Sequence, residues 1–329
     1  MTIVRALAAL LAAVAFAAPA SAQTTLDLIN EYPANSITGE ADAFFADAVK
    51  RRSEGRVIVR PLSDAKSGVR TRDQLKAVAD GKFAMADSFA GGLGEESAVF
   101  LLSSLPFVTP TTGDVQALYD AARPLYEKLF AERKQKLLYV TPWPSSGIWS
   151  AKPVAGIDAL KALKIRTYDK TSTEVLARVA ASATNVSFAD LMPKLEAAEM
   201  NAVLSSGDGG AGRQLWKYLP NFSDVGYAAP LSLASISLEA WSSLDDAGRA
   251  AIEAAAEETS ERQWSALASR LAENFARMRQ NGVTIDDKPP AEVMTALRTA
   301  ADASIADWLS KAGPDAKAAF EGYLAKRNN

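Results

Sequence analysis

The chain has 329 residues with no cysteine and no histidine, and its 36 Lys and Arg against 39 Asp and Glu leave a formal net charge of −3. Without cysteine there is no disulfide framework, thiol nucleophile or thiolate metal site, and without histidine the Ser-His-Asp triad and most transition-metal sites are excluded. The near-neutral charge argues against nucleic acid as a partner, so we expect a soluble globular protein of about two domains, with no metal and no other cofactor.

The N-terminus has the three-part pattern of a secretory signal peptide. Arg5 precedes an apolar stretch over residues 6–18, and residues 20–22 then read Ala-Ser-Ala. A retained membrane anchor is the alternative, but the stretch has about 13 apolar residues where a spanning helix needs roughly 20. We predict that residues 1–22 are a signal peptide cleaved after Ala22, and since no cysteine follows, the exported protein is expected to carry no lipid anchor.

The first half of the mature chain alternates predicted strands with predicted helices. In the first helix the apolar residues recur at i, i+3, i+4, i+7 and i+8 from Ala41, and Gly55 ends the pattern. Strands alternating with helices indicate an α/β layer architecture with a mainly parallel sheet. Strands are expected at residues 26–29, 56–60, 83–86 and 137–140, and helices at 41–49, 73–80 and 114–133.

A second module follows the crossing at residues 149–153. The capping-box spacing of Thr171 and Glu174 predicts a helix over residues 172–181. Residues 245–279 contain no proline, and no glycine after Gly248, which predicts one helix of roughly 50 Å. Further strands are expected at 163–167, 186–188, 200–204 and 231–238, with C-terminal helices over 290–329.

Three short segments form an ordered set. Residues 50–59 fit K-x-x-S-x-G-R-x-x-V, residues 105–107 read L-P-F, and residues 160–166 read LKALKIR. Together they resemble the extracytoplasmic solute-binding proteins of tripartite ATP-independent periplasmic (TRAP) transporters, in which the third segment is similar to "DLKGLKIR". The resemblance extends over essentially the whole mature chain.

This resemblance implies a two-lobed α/β periplasmic-binding-protein fold with a hinge and a long helix that crosses both lobes. It places lobe I at residues 23–147, with part of 230–275 returning to it. Lobe II is then residues 148–229 with part of the C-terminal region, and the helix at 245–279 connects the two lobes. The protein is expected to be a periplasmic monomer.

The resemblance also implies a ligand contact at Arg166. In that family the arginine that ends "LKIR" binds the carboxylate of an organic acid. A guanidinium suits this role because its parallel N–H donors match the two carboxylate oxygens and it stays charged at any relevant pH. The alternative is that Arg166 only ends a strand and pairs with a structural carboxylate.

Departures from the family pattern indicate a less polar pocket. The family's polar "V-D-G-Q-E-N" type segment corresponds here to residues 200–207, whose tip carries no Glu, Gln or Asn, and the crossing at 143–149 lacks the second arginine that many members have. Aromatic and hydroxyl side chains at strand ends are the expected replacements, with packing in the core or hinge as the alternative for each. Asp208 either orients Arg166 or is a solvated loop residue. Besides Arg166, the predicted ligand-binding residues are Tyr32, Ser88, Phe89, Trp143, Trp149, Tyr168, Ser205 and Ser206.

The function that these residues and the resemblance imply is transport. We expect capture of an organic monocarboxylate, with an aromatic or otherwise apolar body, through a salt bridge to Arg166 in an interlobe cleft. Delivery to the small and large membrane subunits of a TRAP transporter would follow, with no catalysis. One alternative is a ligand receptor for a sensor kinase. The other is a secreted α/β hydrolase or lyase, for which the chain lacks both a Gly-x-Ser-x-Gly elbow and a histidine base.

Overall fold

The computed structural model describes residues 23–327, so the predicted signal peptide lies outside the described residues. No helix within this range combines the length and the apolarity needed to cross a membrane. The strands are β1 (Thr24–Asn30), β2 (Val57–Leu62), β3 (Met85–Phe89), β4 (Gln135–Pro142), β5 (Ser146–Ser150), β6 (Lys164–Thr167), β7 (Ser182–Asn185), β8 (Ala202–Ser206), β9 (Asn221–Ser223), β10 (Leu231–Ser237) and β11 (Thr284–Asp286). The helices are α1 (Ile37–Arg52), α2 (Thr71–Ala79), α3 (Thr112–Glu132), α4 (Ile157–Lys161), α5 (Lys170–Arg178), α6 (Leu191–Glu196), α7 (Gly207–Gly212), α8 (Leu238–Ser243), α9 (Asp246–Gln280), α10 (Ala291–Lys311) and α11 (Pro314–Arg327).

Lobe I is built on a five-stranded sheet in the order β2-β1-β3-β10-β4. β1 pairs in parallel with β2 and β3, whereas β10 runs antiparallel between β3 and β4. One face of this sheet packs against α1 and α9 around Phe45 and Ile252, and the other packs against α3 around Val140 and Phe130. The first three strands are parallel because a helix follows β1 and another follows β2, returning the chain to the same end of the sheet.

Lobe II is built on a second sheet in the order β11-β9-β5-β8-β6-β7. β6 pairs in parallel with β7 and β8, and β5 runs antiparallel between β8 and β9. Every residue of β5 and of β8 is buried, which is typical of central strands covered on both faces. Because β6 and β7 are parallel, their carboxyl ends lie at the same end of the sheet, and this end faces lobe I.

Two crossings of the chain join the lobes and hydrogen-bond to each other. The first crossing connects β4 to β5 and the second connects β9 to β10. The Trp143 N–H donates to the Pro230 carbonyl (2.9 Å), and the Ser146 N–H donates to the Ala228 carbonyl (2.8 Å). The Tyr227 N–H in turn donates to the Ser146 carbonyl (2.8 Å). These bonds make the hinge a short two-stranded ribbon.

Helix α9 is a further connection between the lobes. Asp245 caps its start by accepting from the Gly248 N–H (2.6 Å), and the following 35 residues give a length of about 52 Å. It packs against α1 and β4 of lobe I and against α7 of lobe II. The two-lobed α/β fold with a long helix crossing both lobes is thus confirmed.

Candidate functional site

A pocket of about 90 Å³ lies between the lobes, where β1, β3, β6 and β7 end. Crevices beyond the carboxyl ends of strands are the usual ligand sites of open α/β sheets. Lobe I contributes Glu31, Tyr32, Arg70, Thr71, Arg72, Phe89 and Gly92 to its lining, and lobe II contributes Arg166, Tyr168, Asn185, Ser187 and Phe188.

Arg166 is the buried arginine in the lining of this pocket, and backbone carbonyls fix its position. Its Nε donates to the Val186 carbonyl (2.8 Å) and its Nη1 donates to the Leu204 carbonyl (3.3 Å). The guanidinium carbon lies 5.4 Å from the ring centre of Phe188 and 6.0 Å from that of Tyr168. These contacts come from neighbouring strands and from the loop after β7, so the fold itself orients the guanidinium plane.

The guanidinium of Arg166 has no carboxylate partner in the described chain. Its side chain is 3 % exposed, and across residues 23–327 no ion pair joins it to an Asp or Glu within 4.0 Å. Burial lowers the pKa of Arg166 from its ordinary value, while the nearby Tyr32 and Glu31 act in the opposite direction. A buried charge without a partner is costly, so the complementary group for this position is an anion.

Glu31 is a buried carboxylate that connects the two lobes. Its Oε2 accepts from the N–H and the hydroxyl of Thr71 in lobe I (2.7 and 2.8 Å). Its Oε1 accepts from the Ala189 N–H in lobe II (2.8 Å) and from the Ser187 hydroxyl. Burial on its own raises the pKa of Glu31, but these four hydrogen bonds outweigh it and the pKa is lowered. The ionised carboxylate is therefore satisfied without Arg166 and holds the cleft closed.

Aromatic rings form the walls of the pocket. Tyr32 stacks on Phe188 across the cleft (4.7 Å between ring centres), and Phe89 meets Tyr168 edge-on (5.3 Å). The Tyr168 hydroxyl is buried and finds no hydrogen-bond partner among the described residues. Trp143 lies behind Tyr32 at 4.7 Å and donates its Nε1 to the Ser232 hydroxyl (3.0 Å). The walls thus offer flat apolar faces with one unused hydroxyl.

Four of the nine predicted ligand-binding residues line the pocket: Tyr32, Phe89, Arg166 and Tyr168. The structure places Trp143 in a second layer and Ser88 inside the lobe I sheet, fully buried and paired with Leu233 of β10. These two residues support the pocket from behind, and neither belongs to its lining.

The remaining three predicted residues belong to the interior of lobe II. Trp149 is fully buried, donates its Nε1 to the Ser206 carbonyl (3.2 Å) and packs edge-on against Phe222 (5.2 Å). Ser206 accepts from the Gly209 N–H (3.1 Å) and so caps α7. Ser205 faces the same helix, with its hydroxyl 2.5 Å from where a Cβ on Gly209 would stand. All three lie where α7 packs on β5 and β8, away from the pocket.

Asp208 neither orients Arg166 nor lies in a solvated loop. It is 1 % exposed, and its Oδ1 accepts from the Ile37 N–H at the start of α1 (2.8 Å). Its Oδ2 accepts from Arg270 Nε and from Asn274 Nδ2 (3.0 Å), both on α9. Asp208 therefore connects lobe II to lobe I and to the long helix.

Two ion pairs bridge the lobes on either side of the pocket. Arg70 Nη2 lies 2.6 Å from Asp190 Oδ1, and Arg213 Nη1 lies 2.7 Å from Asp64 Oδ1. All four side chains are partly exposed, so each pair contributes only modestly to closure. Together with the contacts of Glu31, these two ion pairs join the lobes, so the cleft is closed in this structure.

A pair of buried carboxyl groups lies beneath the pocket in lobe I. Asp42 accepts from Asn30 Nδ2 (2.6 Å) and from the Tyr139 hydroxyl (2.7 Å), whereas no donor among the described residues reaches the oxygens of Asp87. Burial raises the pKa of Asp42 to about 6, and burial together with the Asp42 charge raises that of Asp87 well above 3.8. Asn30 also accepts from the Tyr32 N–H (2.8 Å), which ties this pair to the pocket wall. Within residues 23–327 no group of three or more acidic side chains lies close enough together to hold a metal ion.

Several residues of this site were not among those predicted from the sequence. Glu31 directly follows β1, so its place at a strand end was a usable signal. Asn185 ends β7 and Ser187 follows it, and the polar sequence of this strand gives no strand pattern. Phe188 was expected inside a strand, but it begins a 3₁₀ turn over Phe188–Asp190 and lines the pocket.

A two-lobed α/β fold with a small pocket around a buried, unpaired cation defines a solute-binding protein. The sequence matches the family described as bacterial extracellular solute-binding protein, family 7, over residues 29–311, and the chain belongs to this family. The resemblance to TRAP solute-binding proteins is thereby confirmed. No curated protein matched the sequence.

Solved structures with the same fold include three receptors for small acids. A Bordetella pertussis extracytoplasmic solute receptor binding pyroglutamic acid superimposes with a TM-score of 0.87 at 24% identity, covering 92% of this chain and 99% of that one. A marine metagenome TRAP solute-binding protein specific for pyroglutamate gives 0.86 at 24% identity, with coverage of 92% and 99%. A Ralstonia eutropha TRAP protein with bound (S)-2-acetolactate gives 0.84 at 20% identity, again covering 92% and 99%.

Proposed function

We propose that the protein captures a small organic monocarboxylate in its interlobe pocket and delivers it to the small and large membrane subunits of a TRAP-type transporter. The observation that carries this proposal is the Arg166 guanidinium, which is buried with no carboxylate partner in the described chain. Binding is followed by release, with no chemical change to the acid.

The pocket geometry accounts for both selection and retention of an acid. Two carbonyls fix the plane of the Arg166 guanidinium, so a carboxylate can bind it without reordering a flexible side chain. Exclusion of water on closure strengthens that ion pair, and contact with the aromatic rings adds about 25 cal/mol for each Å² of apolar ligand surface buried. Glu31 already accepts four hydrogen bonds and leaves the arginine available.

The size of the pocket favours a compact acid. Its volume of about 90 Å³ is far below the roughly 300–1,000 Å³ of sites for drug-sized ligands. The structural relatives described above bind pyroglutamate and 2-acetolactate, both small acids with a single carboxylate. We infer that a ring of pyroglutamate size fits between Tyr32 and Tyr168, and that bulkier aromatic acids bind more weakly. Asn185, which also lines the pocket, would bond a ring amide.

Isothermal titration calorimetry of the purified mature protein tests this proposal with pyroglutamate, 2-acetolactate, benzoate and the neutral amide of pyroglutamate. We expect a compact acid to bind and the neutral amide not to bind. Arg166→Met should weaken binding of the acid at least about 100-fold, because a hydrogen bond to a charged group contributes about 1.5–3 kcal/mol and two are lost.

Arg178→Met is the matched control, because Arg178 is exposed and pairs with Asp307 outside the pocket. It should bind the acid as the wild type does, and circular dichroism should show both variants folded. Equal affinity for the acid and its neutral amide would refute the carboxylate clamp. So would unchanged binding by the Arg166 variant.

The proposal includes export to the periplasm with cleavage after Ala22. The family is extracellular by its description, which supports export but does not fix the cleavage position. N-terminal sequencing of the protein recovered from a periplasmic extract should begin at Gln23. A chain that retains residues 1–22 in the membrane fraction would contradict this part of the proposal.

A further inference from the structure

A large groove lies on lobe I, away from the interlobe pocket. It encloses about 1360 Å³ between α3 and α9, with β4 along its floor and α8 at one end. It shares no lining residue with the pocket that contains Arg166. The groove and the interlobe pocket are therefore two separate cavities lined by different residues.

The floor of the groove presents one edge of a sheet. β4 is the last strand in the order β2-β1-β3-β10-β4, and in the described chain its only strand partner is β10. Near the Pro142 end, the Val140 N–H donates to the Ser260 hydroxyl of α9 (3.3 Å), which closes that part of the edge. From Gln135 to Leu138 the strand lines the groove directly. An unpaired strand edge supplies backbone donors and acceptors for an added segment.

Apolar side chains flank this edge. Leu238, at 39 % exposure, is the one large hydrophobic residue that stands exposed in residues 23–327, and it lines the groove. Trp241 and Trp264 also line it, and Trp264 lies 5.8 Å from the ring centre of Tyr119. Leu137 and Leu138 are only partly buried on the strand between them. These partly exposed side chains offer apolar contacts beside the strand edge.

The rims of the groove are acidic. Five acidic side chains line it against two basic ones, and each of the basic ones is already paired: Arg123 with Glu127 (2.8 Å) and Lys136 with Glu253 (3.1 Å). The other three acidic residues, Asp120, Glu257 and Glu261, are exposed and form no ion pair among the described residues. The rims of the groove therefore carry an uncompensated negative charge beside the apolar side chains of Leu137, Leu138 and Leu238.

We propose that this groove is a docking surface for a positively charged segment of a partner protein, one that carries Lys or Arg beside apolar side chains and lies along β4. Its cationic groups would pair with the acidic rims, and its apolar groups would contact the two tryptophans and Leu238. The same negative charge repels the anionic surface of a phospholipid membrane, which distinguishes a polypeptide partner from a lipid one. The proposal does not depend on the acid bound in the interlobe pocket.

Fluorescence anisotropy tests the proposal with a fluorescein-labelled peptide that alternates lysine and leucine, and with a second peptide that has glutamate in place of lysine. The wild-type protein should bind only the lysine peptide, more weakly as salt concentration rises. The double variant Glu257→Lys and Glu261→Lys should bind it at least tenfold more weakly.

The matched control reverses the same number of charges outside the groove, in the double variant Asp302→Lys and Glu321→Lys on α10 and α11. This control should bind the lysine peptide as the wild type does. Both double variants should bind the pocket ligand normally, which separates a failure here from a failure of the proposed transport function. Equal losses in the two double variants, or binding of neither peptide by the wild type, would overturn the proposal.

Vesicles containing phosphatidylglycerol should not bind, and vesicle binding that depends on Glu257 and Glu261 would contradict the choice of a polypeptide.

Discussion

Replacement of Asp42 by asparagine is expected to change the sign of its effect on stability between acidic and basic pH. Folding buries Asp42 completely and raises its pKa from 3.8 to about 6. A carboxyl group whose pKa is raised by folding stabilises the fold while it is protonated. That contribution is complete below about pH 4 and is lost as the pH rises through 6.

The size of the effect follows from the same pKa values. A change from 3.8 to about 6 corresponds to about 3 kcal/mol of folding free energy at pH 8, at 1.36 kcal/mol per pKa unit. An asparagine side chain at this position carries no such cost, but it keeps only one acceptor for the two donors from Asn30 and Tyr139, which costs about 1 kcal/mol. We therefore expect Asp42→Asn to be more stable than the wild type by about 2 kcal/mol at pH 8 and less stable by about 1 kcal/mol at pH 4.

Urea unfolding followed by circular dichroism at a series of pH values from 4 to 8 measures this crossing. Asp302→Asn is the control, because it makes the same substitution at an exposed position on α10, outside the buried pair. A free-energy difference between Asp42→Asn and the wild type that stays constant from pH 4 to 8 would refute the argument. It would mean that the buried pair does not hold a proton in the folded protein.

Two further substitutions test the closed cleft and the interior of lobe II. Ser187→Ala removes one of the two bonds from Glu31 to lobe II, and calorimetry should show ligand binding about tenfold weaker, since a bond to a charged group contributes about 1.5 kcal/mol or more. Gly210→Ala should lower the free energy of unfolding by about 1–3 kcal/mol in urea, because its Cβ would stand 2.2 Å from the Trp149 ring.

Ser187→Ala has a serine control in the same lobe, and Gly210→Ala has a glycine-to-alanine control in another helix. Ser182→Ala removes an exposed hydroxyl of β7 and should leave ligand binding unchanged. Gly322→Ala adds a Cβ to α11 with no atom within 4 Å, and it should stabilise the helix by about 0.5–1 kcal/mol. Normal binding by Ser187→Ala would show that Glu31 does not hold the lobes together. Wild-type stability of Gly210→Ala would show that α7 can move away from Trp149.

The elements with strong periodic patterns could be predicted from the sequence. The helix expected at 245–279 is observed over Asp246–Gln280, and the strand expected at 231–238 is observed over Leu231–Ser237. The strand expected at 186–188 is instead β7, Ser182–Asn185, which is mostly exposed and held by backbone pairing to β6. Because such an edge strand has no buried apolar face, its sequence contains no apolar pattern from which the strand could be predicted. The helix expected to be capped at Thr171 is capped by Asp169, which bonds the Ser172 N–H (2.7 Å), two residues earlier.

Residues of the candidate site could be predicted from the sequence only where they stand at or just after the end of a strand. Arg166, Tyr168, Tyr32 and Phe89 stand at or just after strand ends, and all four line the pocket. Trp149 lies on β5, where every residue is buried, so alternation along the strand could not tell which face meets the cleft. The contacts between Glu31 and lobe II join residues more than 150 positions apart, and no local pattern in the sequence reports them.

The position of β10 has a consequence for how the protein folds. This strand is an interior strand of the lobe I sheet, between β3 and β4, yet it follows the whole of the lobe II sheet except β11 along the chain. Lobe I therefore cannot complete its sheet until residues 231–237 have been synthesised, and α9, which covers one face of that sheet, comes later still. Pairing of such distant segments slows folding. A nascent chain that stays incompletely folded until most of it has been made is well suited to crossing a membrane as an extended polypeptide before its two lobes form.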